Sequence, residues 1–147
     1  MTGAVASLKY ADEEIRDILE EVSVIALVGA SPNPERPSYT VMKYLLHKGY
    51  RVIPVNPNEA GKEILGEEVF ASLADIVEPV DMVDIFRRSE TVMEVVEQAI
   101  EIGARVVWMQ LDVVNEEAAA KAEEAGLRVV MDRCPKIEYE RLRLGRG

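Results

Sequence analysis

Val24-Ile-Ala-Leu-Val-Gly-Ala-Ser31 runs on through Pro-Asn-Pro-Glu-Arg-Pro-Ser38 into Tyr39-Thr-Val-Met-Lys-Tyr-Leu-Leu46. The apolar, β-branched run that ends at Gly29 suits a strand buried on both faces. A polar loop with three prolines follows, then an apolar-rich segment of helical length. Pro37 fits the first turn of that helix, where its missing N–H is no loss. Strand, loop and helix in this order form a unit whose open end commonly receives a nucleotide phosphate, because the first-turn amides point outward there.

Upstream, Ile15, Ile18, Leu19 and Val22 recur at helical spacing and predict a helix over 12–21, with Asp12 at its N-cap or first turn. Residues 1–11 read as a loose leader. Downstream, strands are predicted at 51–55, 81–86, 105–109 and 128–132. A short edge strand is expected at 67–70 and one helical turn at 73–77. Pro54 lacks an N–H, so the second strand is not expected to pair fully on both sides. Helices are predicted from Ser89 or Glu90 to Ile102, over 116–125 with Asn115 as N-cap, and through the charged tail to about Leu142. Residues 143–147 read as a tail.

One recurrence sets the architecture. Gly49-Tyr-Arg-Val-Ile53, Gly103-Ala-Arg-Val-Val107 and Gly126-Leu-Arg-Val-Val130 share a pattern: a helix ends at glycine, an arginine follows, and an apolar strand begins. Glycine closes a helix because it reaches the left-handed conformation without a Cβ clash. Strands alternating with helices imply right-handed crossovers. The expected fold is α/β, Rossmann-like and doubly wound. It has a mostly parallel sheet of order 3-2-1-4-5-6 with helices on both faces, and it makes one domain of residues 1–147.

The chain has 147 residues, 48% hydrophobic and 30% charged, enough for one real core. Its net charge of −10 argues against a nucleic-acid partner, which needs a basic face. A small anionic ligand stays possible, because distant carboxylates are screened over about 8 Å. The single cysteine allows no intramolecular disulfide. No signal peptide or membrane-length apolar run is present, so no membrane partner and a cytoplasmic location are expected. One cysteine and one histidine offer no metal-ligand spacing. His47 lies near the end of a helix, where a structural role suits it. No catalytic residue is nominated. The low aromatic content and the edge near 67–80 leave a monomer or a weak homodimer open.

In such a sheet the ligand loops follow the carboxyl ends of the strands. They are 29–38, 56–62, 86–89, 109–112 and 133–136. Gly29-Ala-Ser31 lacks the later glycines of G-x-G-x-x-G. Asn56-Pro57 stands where a dinucleotide site places an acid for the ribose hydroxyls. A nucleotide with a phosphate chain therefore fits better than NAD, and a ribose carrying its own phosphate has no use for a carboxylate there. Arg36, Lys62, Arg87, Arg88 and Arg133 are the cations on or beside these loops. Gly29 is either a tight turn or a phosphate neighbour. Ser38 is either a first-turn polar residue or a ligand contact. Arg87 and Arg88 are either a solvated pair or phosphate contacts. Cys134 reads first as a small buried residue ahead of Pro135. Its second reading is a thiol beside Arg133 and Lys136, able to exchange with a ligand thiol or thioester.

Val28-Gly-Ala-Ser-Pro-Asn33, Ser38, Val55-Asn-Pro57, Asp84-Ile-Phe-Arg-Arg88, Trp108-Met-Gln110 and Met131-Asp-Arg-Cys-Pro-Lys136 together resemble the stand-alone CoA-binding proteins. That family is similar to the CoA-binding N-terminal domain of the succinyl-CoA synthetase α subunit. The resemblance covers residues 12–140, and its most specific part is the Asp132-Arg-Cys-Pro-Lys136 ending. It implies coenzyme A as the cofactor. The CoA diphosphate would lie over Ala30, Ser31 and the helix start at Ser38 and Tyr39. The adenosine would lie toward Asn56, Pro57 and Lys62. Phe86, Arg87, Met109 and Gln110 would line the middle and the pantetheine arm. Leu111-Asp112 departs from the family pattern, which has a glycine soon after Gln110. The synthetase's catalytic histidine belongs to a second domain, so CoA binding is implied and ligase activity is not. The expected role is a binding, carrier or regulatory protein for CoA or an acyl-CoA, with a protein partner left open. The alternative is an NAD(P)-binding redox enzyme or regulator using the same crevice. A third reading is thioester chemistry through Cys134.

Overall fold

The computed structural model describes residues 10–145. In chain order the elements are α1 (Asp12–Glu21), β1 (Val24–Val28), α2 (Pro37–His47), β2 (Arg51–Val55), β3 (Glu63–Ile64), β4 (Glu67–Glu68), β5 (Met82–Ile85), α3 (Val92–Glu101), β6 (Val106–Met109), α4 (Glu116–Glu124), β7 (Arg128–Val130) and α5 (Pro135–Arg141). Five strands form one parallel sheet in the order β2-β1-β5-β6-β7, and β3 and β4 form a separate antiparallel hairpin. This is the Rossmann-like α/β arrangement expected. No helix among the described residues is long and apolar enough to cross a membrane.

Residue alternation along the strands sends side chains to two cores. Leu27, Met82 and Trp108 meet Ile15, Leu19, Met42, Leu45 and Tyr139 on the face covered by α1, α2 and α5. Val28, Val83, Ile85 and Met109 meet Val96, Ala99, Ala118 and Ala122 on the face covered by α3 and α4. Local chemistry starts and stops the helices. Asp12, Glu13 and Glu14 occupy the first turn of α1, where acids suit the dipole. Pro37 opens α2. The Asn115 Oδ1 caps α4 by accepting from the Ala118 N–H at 2.9 Å. The expected helix from residue 89 begins as a 3-10 turn over Ser89–Thr91 and becomes α-helical at Val92.

The last strand, expected to reach 132, stops at Val130, and Asp132 takes a positive φ of 59°; two other boundaries differ more widely. The edge strand expected at 67–70 is a strand only over Glu67–Glu68, and it belongs to the separate hairpin instead of the main sheet. Leu65 (φ 52°) and Gly66 (φ 82°) turn the chain back, so Glu67–Glu68 pairs with Glu63–Ile64. Two successive positive φ angles define the tight hairpin turn whose twist matches its strands. Only Phe70 reaches the sheet, through one bridge to Val55, so the third position in the order 3-2-1-4-5-6 shrinks to a single contact. Phe70 donates to the Pro54 carbonyl at 3.0 Å on the outer side of β2. Proline's missing donor therefore faces the sheet edge, where it is tolerated. The leader is also shorter than expected. The Tyr10 hydroxyl accepts from the Met131 N–H at 2.9 Å, and the Arg133 guanidinium stacks 5.2 Å from its ring. The leader's remaining residues, 1–9, and the tail residues 146–147 lie outside the described residues.

Asp81 clamps the amino ends of the strands. Its carboxylate accepts from the Ser23 and Val24 amides and from Arg105, each at 2.9 Å. Burial pushes this carboxyl up, but the Val24 and Ser23 amides and Arg105 outweigh that and hold it below its ordinary value. A depressed folded-state pKa contributes stability above the unfolded value, and that stability is lost as pH falls through the folded one. Asp81→Ala is expected to cost about 2 kcal/mol near neutral pH, with the gap to wild type closing in acid. Urea denaturation across an acidic pH series measures it; a gap that does not change with pH contradicts the assignment.

Candidate functional site

The sheet order reverses direction between β1 and β5, and the crevice opens there, beyond the carboxyl ends of the strands. Gly29 forms its floor with φ +93°. Its N–H donates to the Val55 carbonyl at 2.9 Å, and the Ala30 N–H donates to the same oxygen at 3.3 Å. A Cβ built on Gly29 would lie 2.3 Å from the Phe86 carbonyl oxygen. Gly29 is thus required by a close approach of backbone to backbone, in addition to its turn.

Asn56 ties the second loop to the first. Its Nδ2 donates to the Ala30 carbonyl at 2.8 Å, and its Oδ1 accepts from the Asn58 N–H at 2.9 Å. A carboxylate here would face the Ala30 carbonyl with no proton to give. This explains an amide where a dinucleotide site has an acid. Ser31 Oγ accepts from the Asn33 N–H, and Asn33 Oδ1 from the Glu35 N–H, which shapes the loop into α2.

Gly29, Ala30, Ser31, Arg36, Ser38, Asn56 and Phe86 enclose a cavity of about 330 Å³. In the first turn of α2, Pro37 has no N–H and the Tyr39 N–H donates to the Arg36 carbonyl at 3.0 Å, which leaves the Ser38 N–H as the first-turn donor beside the cavity. That turn carries no acid, and the walls of the cavity carry none either. Amides, a helix N-terminus and a guanidinium make a cradle for an anion.

A larger cavity of about 770 Å³ shares Pro37 and Phe86 with the first. Arg87, Arg88, Gln110, Cys134 and Lys136 stand around it. Glu35, Leu111, Asp112 and Val113 also line it, and so do Thr40, Val41 and Ile137, which the sequence reading does not single out as site residues. The i, i+3, i+4 spacing of Pro37, Thr40 and Val41 along α2 was the available signal. The loop after β6 is held open by Asp132, whose Oδ1 accepts from the Asp112 N–H at 2.7 Å. Asp112 has φ +69°, the conformation glycine adopts most easily. The resemblance implies a glycine soon after Gln110, and Asp112 holds a backbone conformation that glycine also adopts.

Two buried polar side chains on this side of the sheet carry oxygens with no hydrogen-bond partner among the described residues. Gln110 lines the cavity, is buried, and its Oε1 has no hydrogen-bond partner among the described residues. Asp84 is 0% exposed, and neither carboxyl oxygen has a partner there. Its register neighbours, Leu27 and Trp108, belong to the core under α1, α2 and α5. Burial pushes the Asp84 carboxyl well above its ordinary value. An aspartate inside an apolar strand is the sequence signal for this group.

Eleven anticipated residues thus converge on the two cavities: Gly29, Ala30, Ser31, Arg36, Ser38, Asn56, Phe86, Arg87, Arg88, Gln110 and Cys134. Others lie outside their walls. Tyr39 leans on the core under α1 and α2. Pro57 is exposed at the start of a 3-10 turn. Lys62 is exposed and pairs with Glu59 at 3.2 Å. Met109 is fully buried under α3 and α4, because alternation turns it to the face opposite Gln110. Arg133 is stacked on Tyr10, away from Cys134's cavity.

Fold and crevice together define a Rossmann-like nucleotide-binding domain with an anion cradle at its switch point. The sequence profile of the CoA binding domain matches residues 23–140, and the chain belongs to that family. The resemblance to the stand-alone CoA-binding proteins is borne out at this level. YneT of Bacillus subtilis (strain 168), described as an uncharacterized protein, is 43% identical over 126 residues, 86% of this chain and 92% of YneT. The α subunit of acetate–CoA ligase (ADP-forming) I of Pyrococcus furiosus is 34% identical over 87 residues, 56% of this chain and 19% of the subunit. The solved structure of a hypothetical protein from Pyrococcus horikoshii OT3 superposes with a TM-score of 0.87 at 50% identity, covering 92% of this chain and 94% of that one.

Proposed function

We propose that the protein binds coenzyme A or an acyl-CoA in the crevice at the carboxyl ends of β1, β5 and β6, as a binding, carrier or regulatory protein. The observation that carries this reading is the continuity of an acid-free anion cradle with a larger cavity through the shared walls Pro37 and Phe86. The diphosphate sits on the cradle against the first turn of α2 and Arg36. The pantetheine arm crosses Phe86 into the larger cavity, where Gln110 Oε1 accepts an amide N–H. Cys134 stands at the far side. Asn56 supports this reading over NAD(P), because both ends of its side chain are used to hold the loops and no carboxylate faces a ribose.

Native mass spectrometry and calorimetric titration with CoA, acetyl-CoA, NAD and NADP test this reading. A CoA adduct, or micromolar CoA affinity with weak NAD binding, is expected. NAD binding with no response to CoA overturns it. Arg36→Ala is expected to weaken CoA about tenfold and to leave pantetheine, which has no phosphates, unaffected. Equal losses for both ligands would mean that Arg36 shapes the loop and does not face the diphosphate.

A further inference from the structure

A third cavity, of about 610 Å³, lies beside the crevice, and Thr40 and Lys136 are walls of both it and the 770 Å³ cavity. Pro37, Thr40, Tyr44 and His47 stand at successive turns along one side of α2, so the two spaces form one groove down that helix. Its apolar surface comes from Tyr44, Leu46 and Leu65. Glu35 and Asp112 stand on the 770 Å³ part of the groove; the 610 Å³ part has Lys43, His47 and Lys136 among its other walls and no carboxylate.

The absence of acids from the walls of the 610 Å³ part is informative in a chain with 27 acidic and 17 basic residues. Lys136 has a partial partner in Glu140, at 3.5 Å, and lies 5.1 Å from the Tyr44 ring centre. Lys43 makes no ion pair among the described residues. An apolar trough that ends in ammonium groups and an imidazole complements an aliphatic chain that ends in an anion. One turn of α2, about 5.4 Å, separates Thr40 from Lys43 and Tyr44. A short chain entering past Thr40 reaches them.

We propose that this groove along α2 receives the acyl chain of a CoA thioester, and that Lys43 and His47 select a chain ending in a carboxylate. The proposal rests on the CoA reading above, with the thioester end of the ligand placed near Lys136 and Cys134. The ligand class is a short dicarboxylic acyl-CoA.

Calorimetry on the full chain with CoA, hexanoyl-CoA and adipyl-CoA tests it. The two acyl groups have equal length and differ in the terminal carboxylate. Adipyl-CoA is expected to bind about tenfold tighter than CoA and severalfold tighter than hexanoyl-CoA. The double variant Lys43→Gln, His47→Gln is expected to erase the difference between the two acyl groups while CoA affinity stays the same. Affinities within about twofold of one another for all three ligands would overturn the proposal and leave the CoA reading intact. Survival of the adipyl preference in the double variant would also overturn it. A dimer in sedimentation that Leu65→Glu dissolves, with no acyl preference, would assign the groove to a second copy instead. Failure of CoA itself to bind would remove the functional reading and this proposal together.

Discussion

Gly29→Ala is expected to cost about 3 kcal/mol or more and to abolish CoA binding in whatever protein remains folded. Two independent penalties act at this position. The backbone sits at φ +93°, which a side chain rarely adopts. The new Cβ would also lie 2.3 Å from a backbone oxygen, that of Phe86. Neither partner is free to retreat. The Gly29 N–H is bonded to Val55, and the Phe86 N–H donates to the Val28 carbonyl at 2.8 Å. Relief would have to part the carboxyl ends of β1 and β5, where the anion cradle is built. Gly103→Ala separates the two penalties, since Gly103 has φ +79° and its added Cβ meets no atom within 4 Å. It is expected to cost only about 1 kcal/mol, the backbone penalty alone. Urea denaturation of both variants, with CoA titration, measures the difference. Equal costs would show that the approach of Phe86 does not select glycine here.

The second large effect concerns pH. Asp84 is fully buried, its two oxygens have no partner among the described residues, and burial raises its carboxyl well above the usual range. A raised folded-state pKa means that the native state holds a proton which the unfolded chain has released. That contribution is complete below the unfolded pKa and is lost as pH rises through the folded one. The loss can reach about 1.4 kcal/mol per pH unit over the interval between the two pKa values. Asp84→Asn keeps the shape and cannot ionise. It is expected to remove this slope, so that the variant gains on wild type steadily as pH rises from mildly acidic toward alkaline values. Asp81 acts in the opposite direction and only in acid, so the two are separable in one pH series. Parallel stability curves for wild type and Asp84→Asn would show that Asp84 is already ionised in the folded protein.

The site was legible where one residue's chemistry is local. Gly29, Ser31 and Ser38 were nominated from a strand–loop–helix pattern, and they do line one cavity. By its type alone, Asn56 is the wrong residue for a dinucleotide site. Its reason, a donor for the Ala30 carbonyl, depends on a loop 26 positions earlier in the chain. Met109 and Gln110 were named together, yet adjacent residues of a strand face opposite ways, and only Gln110 meets the cavity. Lys136 was seen as a neighbour of Cys134. Its position on the wall shared by two cavities follows from α5 packing beside α2.

From the sequence alone came the places of the helices, the five strands of the main sheet and the α/β class. Those follow from periodicity, proline, glycine and capping residues, which act within about one helical turn of themselves. Tertiary structure alone decided that the strand at 67–70 shrinks to Glu67–Glu68 outside the main sheet, that Tyr10 is anchored, and that α2 carries a groove along its length. Each of those outcomes depends on pairing between residues far apart in the chain. Phe70 meets Pro54, Tyr10 meets Met131, and Thr40 shares a wall with Lys136. Such contacts form only when the whole sheet has brought its edges and helices together, and no local pattern encodes which partner will be there.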